Sequence, residues 1–183
     1  MNYSDLTEKQ LSSTEIYNGR LLHVFNDVVE LPNGGTSARE YIKHNGAVCV
    51  VPVTSDGLVY MVRQFRYAVG RVTLEVPAGK IDPGEAPLDA AVRELSEETG
   101  LENAVIEPIG DLLPSVAYTT EVIYMYIARD FTEGKAHTDP DEFLNVEKIH
   151  IDKLVSMVMS GEIEDAKTQT AILKTARILK EEA

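Results

Sequence analysis

Apolar residues fall along this chain in short bursts, separated by polar stretches and turn-forming residues. Residues 21–31 (LLHVFNDVVEL) are rich in β-branched and apolar side chains, and Pro32-Asn33-Gly34-Gly35 is a strong turn signal. Residues 36–44 read as a returning strand, so 21–44 is predicted to form an antiparallel hairpin. Beyond Asn45-Gly46, residues 47–53 (AVCVVPV) form a continuous apolar run of the length of a buried strand. Asp56-Gly57 is a hairpin turn into a strand over 58–65. A short strand is expected at 74–76 and another at 122–128. Residues 77–85 contain two Gly and two Pro and read as a loop with a fixed path. Helices are predicted over 87–99, 151–159 and 166–182. Pro87 suits the first turn of the first helix, and Gly100 suits its C-terminal stop. Residues 1–15 read as a polar lead-in arm, and 132–142 (TEGKAHTDPDE) as an exposed acidic loop. There is no internal repeat, low-complexity segment or long linker. The pattern predicts an α+β protein with mixed or antiparallel strands and three helices. An N-terminal β appendage (1–44) would precede a main domain (45–183).

Charge narrows the function classes. Lys and Arg number 17 against 30 Asp and Glu, giving a formal net charge of −13 in 183 residues. Such a surface repels a phosphate backbone, so no nucleic-acid partner is expected. An anionic substrate would need local Arg or Lys, or a bound metal. The single cysteine, Cys49, excludes an intrachain disulfide and a multi-Cys zinc site. It lies in an apolar strand and reads as core rather than nucleophile. The apolar runs are far shorter than the roughly 20 residues of a membrane span, and the polar, acidic start is not a signal peptide. A cytoplasmic protein without membrane partners is expected.

The helix at 87–99 carries the most informative chemistry. At about 100° per residue, Leu88, Ala91, Val92 and Leu95 share one face and Glu94, Glu97 and Glu98 another. Glu94 and Glu98 stand one turn apart. Like charges on one face repel, and a divalent cation would reverse that penalty; carboxylate oxygens suit Mg²⁺ or Mn²⁺. Taken alone, the three glutamates fit a solvated acidic face equally well. The spacing decides between them. Gly79, Glu85, Arg93, Glu94, Leu95, Glu97, Glu98, Gly100 and Leu101 fill the pattern G-x5-E-x7-R-E-U-x-E-E-x-G-U, where U is aliphatic.

This pattern resembles the Nudix box, with every specified position occupied. The resemblance implies the Nudix fold, an α/β/α sandwich with a mixed sheet, and metal-dependent hydrolysis of a nucleoside diphosphate linked to another moiety. It implies Glu94, Glu98 and the backbone carbonyl of Ala78 as metal ligands, Glu97 as a further ligand or a residue that supports one, and Glu85 and Arg93 as the tie between loop and helix. The order NGR, ELPNG, RE, GAV, VRQFRY, EVPAGK, box, DAKT is similar to the ADP-ribose pyrophosphatase branch over nearly the whole chain. That branch cleaves ADP-ribose to AMP and ribose 5-phosphate, as a homodimer whose N-terminal strands cross to the partner. By this resemblance Arg66 contacts the pyrophosphate, where a guanidinium fork matches phosphate oxygens. Arg39 and Glu40 match a pair near the adenine end, and Mg²⁺ is the expected cofactor, with Mn²⁺ a substitute. The catalytic base comes from the late acidic loop, where Glu142 fits best, as base or as a further ligand, ahead of Asp139 and Asp141. His137 has only its residue type in its favour as a base. Arg63 reads as a plain strand-end charge.

One segment departs from the branch. Leu113-Pro114-Ser115-Val116-Ala117-Tyr118 has Val116 where relatives carry Pro, and Tyr118 in the aromatic place. Tyr118 could stack on a base, cover the sugar or simply pack. The departure keeps GDP-mannose and other nucleoside diphosphate sugars open as substrates. Two other classes compete: a Nudix domain that binds its nucleotide without cleaving it, which would not require every carboxylate of the box, and a structural α+β protein, for which the nine-position match would be a coincidence.

Overall fold

The computed structural model describes residues 6–138 and 142–182. Among the described residues, twelve strands and three α-helices follow one another: β1 (Lys9–Asn18), β2 (His23–Glu30), β3 (Thr36–Lys43), β4 (Ala47–Pro52), β5 (Leu58–Arg66), β6 (Arg71–Glu75), β7 (Ala78–Lys80), α1 (Pro87–Thr99), β8 (Leu101–Glu102), β9 (Val105–Leu112), β10 (Ile123–Arg129), β11 (Thr132–Glu133), β12 (Leu144–His150), α2 (Ile151–Ser160) and α3 (Ala166–Glu182). They divide into two compact units. One runs up to Asn45 and includes Ser115–Glu121; the other holds Gly46–Pro114 and the chain from Val122 onward.

The first unit is an antiparallel sheet in the order β1-β2-β3. The hairpin expected at 21–44 is its β2–β3 pair, with Asp27 opposite Arg39 and Asn26 opposite Glu40. Phe25 and Tyr41 stack at 5.6 Å between ring centroids. Residues 115–121 lie beside β3: Ile42 N–H donates to the Tyr118 carbonyl at 2.8 Å, and Thr120 N–H to the Ile42 carbonyl at 3.0 Å. The lead-in arm expected at 1–15 is corrected here. Residues 9–15 of it belong to strand β1, which pairs with β2 along its length. All ten of its residues are exposed, so no in/out alternation announces it.

The second unit is layered around a mixed sheet, β7-β4-β10-β9, in which β10 runs parallel to β4. The apolar run of β4 is continuous because both sheet faces are covered. Val48 and Val50 pack with Ala90, Ala91 and Leu95 of α1. Cys49 and Val51 pack on the other face with Leu154 and Met157 of α2 and with Ala171, Ile172 and Ala176 of α3. Helix, sheet and helices therefore form an α/β/α sandwich. A second antiparallel sheet, β12-β5-β6, and the short pair β11-β8 complete the unit.

The three helices lie where the periodicity predicts them. Several strands do not. The strand expected at 74–76 is β6 and starts at Arg71, while the loop expected at 77–85 contains β7. Strands β9 and β12 go beyond the expected elements; the proline and glycine of VIEPIGDL and the adjacent charges of LNVEKIH mask the alternation. The expected apolar face of α1 also needs correction. Leu88 and Val92 are 47% and 52% exposed, whereas Glu94 and Glu98 are 9% and 3% exposed. The helix turns the arc of Ala91, Glu94, Leu95 and Glu98 inward. Two carboxylates thus occupy positions that hydropathy assigns to solvent.

Candidate active site

α1 starts from Ala86 without a side-chain cap and with Pro87 at its first position. It ends at Gly100, whose φ of 71° is left-handed and whose N–H reaches the Ser96 carbonyl. A Cβ on Gly100 would also lie 2.6 Å from the Ala136 nitrogen, because the following loop crosses directly over it. Gly134 N–H donates to the Gly100 carbonyl at 2.7 Å, and His137 N–H to the Glu97 carbonyl at 3.0 Å. These bonds pin the start of the acidic loop to the C-terminal end of α1.

Glu98 accepts a hydrogen bond from Ala78 N–H at 3.0 Å, tying the helix to β7. Arg93 braces the neighbouring loop. Its Nε and Nη2 donate to the two Glu85 oxygens at 2.9 and 3.0 Å, and Nη2 also reaches the Lys80 carbonyl at 3.0 Å. Its Nη1 donates to Glu94 at 2.7 Å and to Glu97 at 3.0 Å. Glu85 in turn accepts Asp82 N–H at 3.0 Å. Bonds from Arg93 and from Asp82 N–H hold Glu85 down at about 2, against the opposing effect of desolvation.

The inward carboxylates behave in the opposite way. Burial pushes Glu98 up to about 8, with the charges of Glu94 and Glu142 adding to the effect and the Ala78 N–H and Arg66 opposing it. Burial also raises Glu94, against Arg93, with Glu97 and Glu142 adding repulsion. Glu142 therefore lies within electrostatic range of both. Asp139 and Asp141 lie outside the described residues.

A second charged cluster borders the first. The Arg66 guanidinium donates from Nε and Nη2 to the two oxygens of buried Glu75, each at 2.8 Å. Lys167 also bonds Glu75. Arg66 also feels the charges of Glu98 and Asp165. From EVPAGK the sequence singles out only Ala78 and the box Gly79, and from DAKT no site residue, so Glu75 and Lys167 are additions of the structure. The signal was there: Glu75 is an acid at the end of an apolar strand, and Lys167 sits in the first turn of a helix. Arg63 pairs with Glu147 across β5 and β12 at 2.5 Å.

Arg39, Glu40 and Tyr118 belong to the N-terminal sheet unit. Arg39 is held by Glu8, with its Nε 2.9 Å from one carboxylate oxygen, and also bonds Ser37 and the Ala38 carbonyl. Glu40 and Tyr118 are exposed, as is Val116.

The donors at α1 fit a divalent cation as an open site. Among the described residues no three Asp, Glu, His or Cys side chains form a ready metal cage. Two raised, buried carboxylates and a backbone carbonyl at Ala78 supply hard oxygen donors, and Mg²⁺ characteristically takes few carboxylates with water and substrate phosphates. Cation charge would offset the burial that chiefly raises Glu94 and Glu98, and the carboxylate repulsion that adds to it. Gly79 guards this arrangement, since a Cβ there would lie 1.9 Å from the Glu94 carboxyl carbon. Gly79→Ala is expected to displace that carboxylate and weaken cation binding by about 10–100-fold, the usual loss when a ligand's support is removed. Calorimetric titration with Mn²⁺ checks this, and an unchanged affinity would contradict it.

Comparison with known proteins agrees with this geometry. The NUDIX domain model matches residues 43–169, and the nucleoside diphosphate sugar hydrolase N-terminal domain model matches residues 8–42. The ADP-ribose pyrophosphatase of Bacillus subtilis (strain 168) is 38% identical over 91% of this chain and 91% of its own length. The methanol dehydrogenase activator of Bacillus methanolicus is 36% identical over 90% of each. A solved structure described as an ADP compounds hydrolase superimposes with a TM-score of 0.87 over 97% of each chain at 23% identity, a likeness of fold.

Proposed function

Since the chain belongs to the Nudix family of hydrolases, whose domain spans residues 43–169, we propose that it hydrolyses the pyrophosphate bond of ADP-ribose, releasing AMP and ribose 5-phosphate, with Mg²⁺ as the working cation and Mn²⁺ as a substitute. Family membership implies dependence on a divalent metal. The observation that carries the proposal is the inward placement of Glu94 and Glu98 against β7, where two charged carboxylates side by side are costly unless a cation joins them.

Glu94, Glu98 and the Ala78 carbonyl would hold the cation, with Glu97 as a further ligand or as a counterweight to Arg93. When bound, it would offset phosphate charge and lower the pKa of a water. Arg93 keeps Glu94 and Glu97 in place, and Glu85 fixes Arg93. Arg66 presents its guanidinium to the pyrophosphate. Glu142 takes the proton from the attacking water. Arg39 and Glu40 serve the adenine end, and Tyr118 covers the base or sugar.

Residues 1–44 act as a dimerisation appendage in this reading. Support comes from the N-terminal domain match and from the exposed apolar side chains Leu11, Ile16, Tyr17 and Val28 on β1 and β2. Deletion of residues 1–44 is expected to abolish dimer formation and to leave little affinity for substrate. Light scattering of the wild type at assay concentration checks it, and an active monomer would contradict it.

The substituted segment at Val116 favours a comparison of substrates. A panel of ADP-ribose, GDP-mannose and other nucleoside diphosphate sugars, ranked by kcat/KM with Mg²⁺, tests the proposal. ADP-ribose is expected to lead; a clear preference for GDP-mannose would move the assignment to that branch.

A further inference from the structure

Arg66 is held by a chain of buried charges that reaches helix α3. Glu75, at the end of β6, is 2% exposed. An ionised carboxylate offers about four lone-pair sites, and all sides of this one are engaged: Arg66 donates to both oxygens at 2.8 Å, Thr73 Oγ1 donates at 2.6 Å, and Lys167 Nζ bonds Oε2. Lys167 is fixed in turn by Asp165 at 2.8 Å. Asp165 also accepts the Thr168 N–H at 3.0 Å and its hydroxyl at 2.6 Å, capping the start of α3. Thr168 Oγ1 accepts Val76 N–H at 3.1 Å, so the network closes back onto the chain that leads into β7.

A simple pair would need one cation for Glu75. Here there are two, and the second one is nearly buried, with its side chain 13% exposed. A carboxylate gripped from several sides cannot swing, so the guanidinium plane above it is fixed as well. Nη1 of Arg66 has no hydrogen-bonding partner among the described residues, and the guanidinium lies where Glu98 feels its charge. An arginine ordered in advance loses less side-chain entropy when it meets a phosphate.

We propose that Glu75 and Lys167 are positioning residues for the substrate pyrophosphate: together they lock Arg66 so that its free guanidinium edge faces the phosphates held at α1. This rests on Arg66 being the pyrophosphate contact. Neither Glu75 nor Lys167 touches substrate; both act through Arg66.

A double-mutant cycle tests it, with ADP-ribose and saturating Mg²⁺ and with the melting temperature of each variant recorded. Glu75→Gln is expected to lower kcat about 10²-fold, the scale of a small misplacement at a reacting centre, with a smaller change in KM. In an Arg66→Ala background the same substitution is expected to cost less than about threefold. A purely structural role would cost the same factor in both backgrounds, and that result overturns the proposal. Lys167→Gln provides a second cycle that does not require the Glu75 variant to fold. It is expected to lower kcat/KM about tenfold when Arg66 is present and to have no effect in the Arg66→Ala background, and equal factors again overturn the proposal. Full activity of Arg66→Ala overturns the Arg66 assignment and the positioning role together. An impaired Arg66→Ala with additive losses overturns the positioning role alone. A wild type that does not turn over ADP-ribose contradicts the function itself and removes the pyrophosphate on which the positioning depends.

Discussion

Replacing Glu98 by Gln is expected to lower turnover by about 10³-fold or more, while the metal-free protein stays folded and becomes more stable than wild type at pH 8. On the proposed reading, the kinetic loss follows from removing a ligand of a cation that would supply several kcal/mol of charge stabilisation in the transition state. The gain in stability follows from burial. Glu98 in the fold is pushed up to about 8 from an ordinary value of 4.5, chiefly by desolvation. Between those two values the native state binds a proton that the unfolded state releases. Stability from this group is therefore fully present below about 4.5 and is lost as pH rises through 8. Gln cannot ionise, so the variant lacks this slope. Melting temperatures in EDTA from pH 5 to 9 should fall for wild type and stay flatter for Glu98→Gln. Parallel curves, or full Mg²⁺-dependent activity of the variant, would contradict the role given to Glu98.

Glu142→Gln is expected to cost roughly 10²–10⁴-fold in kcat with KM little changed, the range of a lost general base. Gln keeps the size and most of the hydrogen bonding but removes the basic oxygen. Raising the pH should recover part of the loss, because hydroxide replaces the missing base. Recovery by added Mg²⁺ instead would identify Glu142 as a ligand. Its placement supports either role: Thr138 donates to its carbonyl at 3.2 Å, and its charge reaches Glu94 and Glu98. Unaltered turnover at every pH and metal concentration would return Glu142 to an ordinary solvated loop and direct the search to Asp139 or Asp141.

The sequence revealed the helices because each carries its own stop or start, as at Pro87 and Gly100, and revealed β4 because burial on both faces makes it apolar throughout. It concealed β1 because an exposed strand has no alternation to read, and it concealed β12 because Lys148 and Glu147 are paired across strands rather than buried. The motif located the acids of α1 but not their direction. Hydropathy turned Glu94 and Glu98 outward and Leu88 and Val92 inward, and the fold does the reverse. No periodicity rule anticipates a buried carboxylate. Glu75 and Lys167 escaped for a related reason: they are 92 positions apart, and only the fold brings the start of α3 to the end of β6.

The most direct test is a metal titration of product release. Protein stripped with EDTA is mixed with ADP-ribose, and AMP and ribose 5-phosphate are measured as Mg²⁺ is added back. Wild type should release the two products in equal amounts, with no turnover before Mg²⁺ and saturation after it, and Glu98→Gln should show little release at the same concentrations. Release that is independent of added metal, or the same in both proteins, would contradict a cation held by the buried carboxylates of α1.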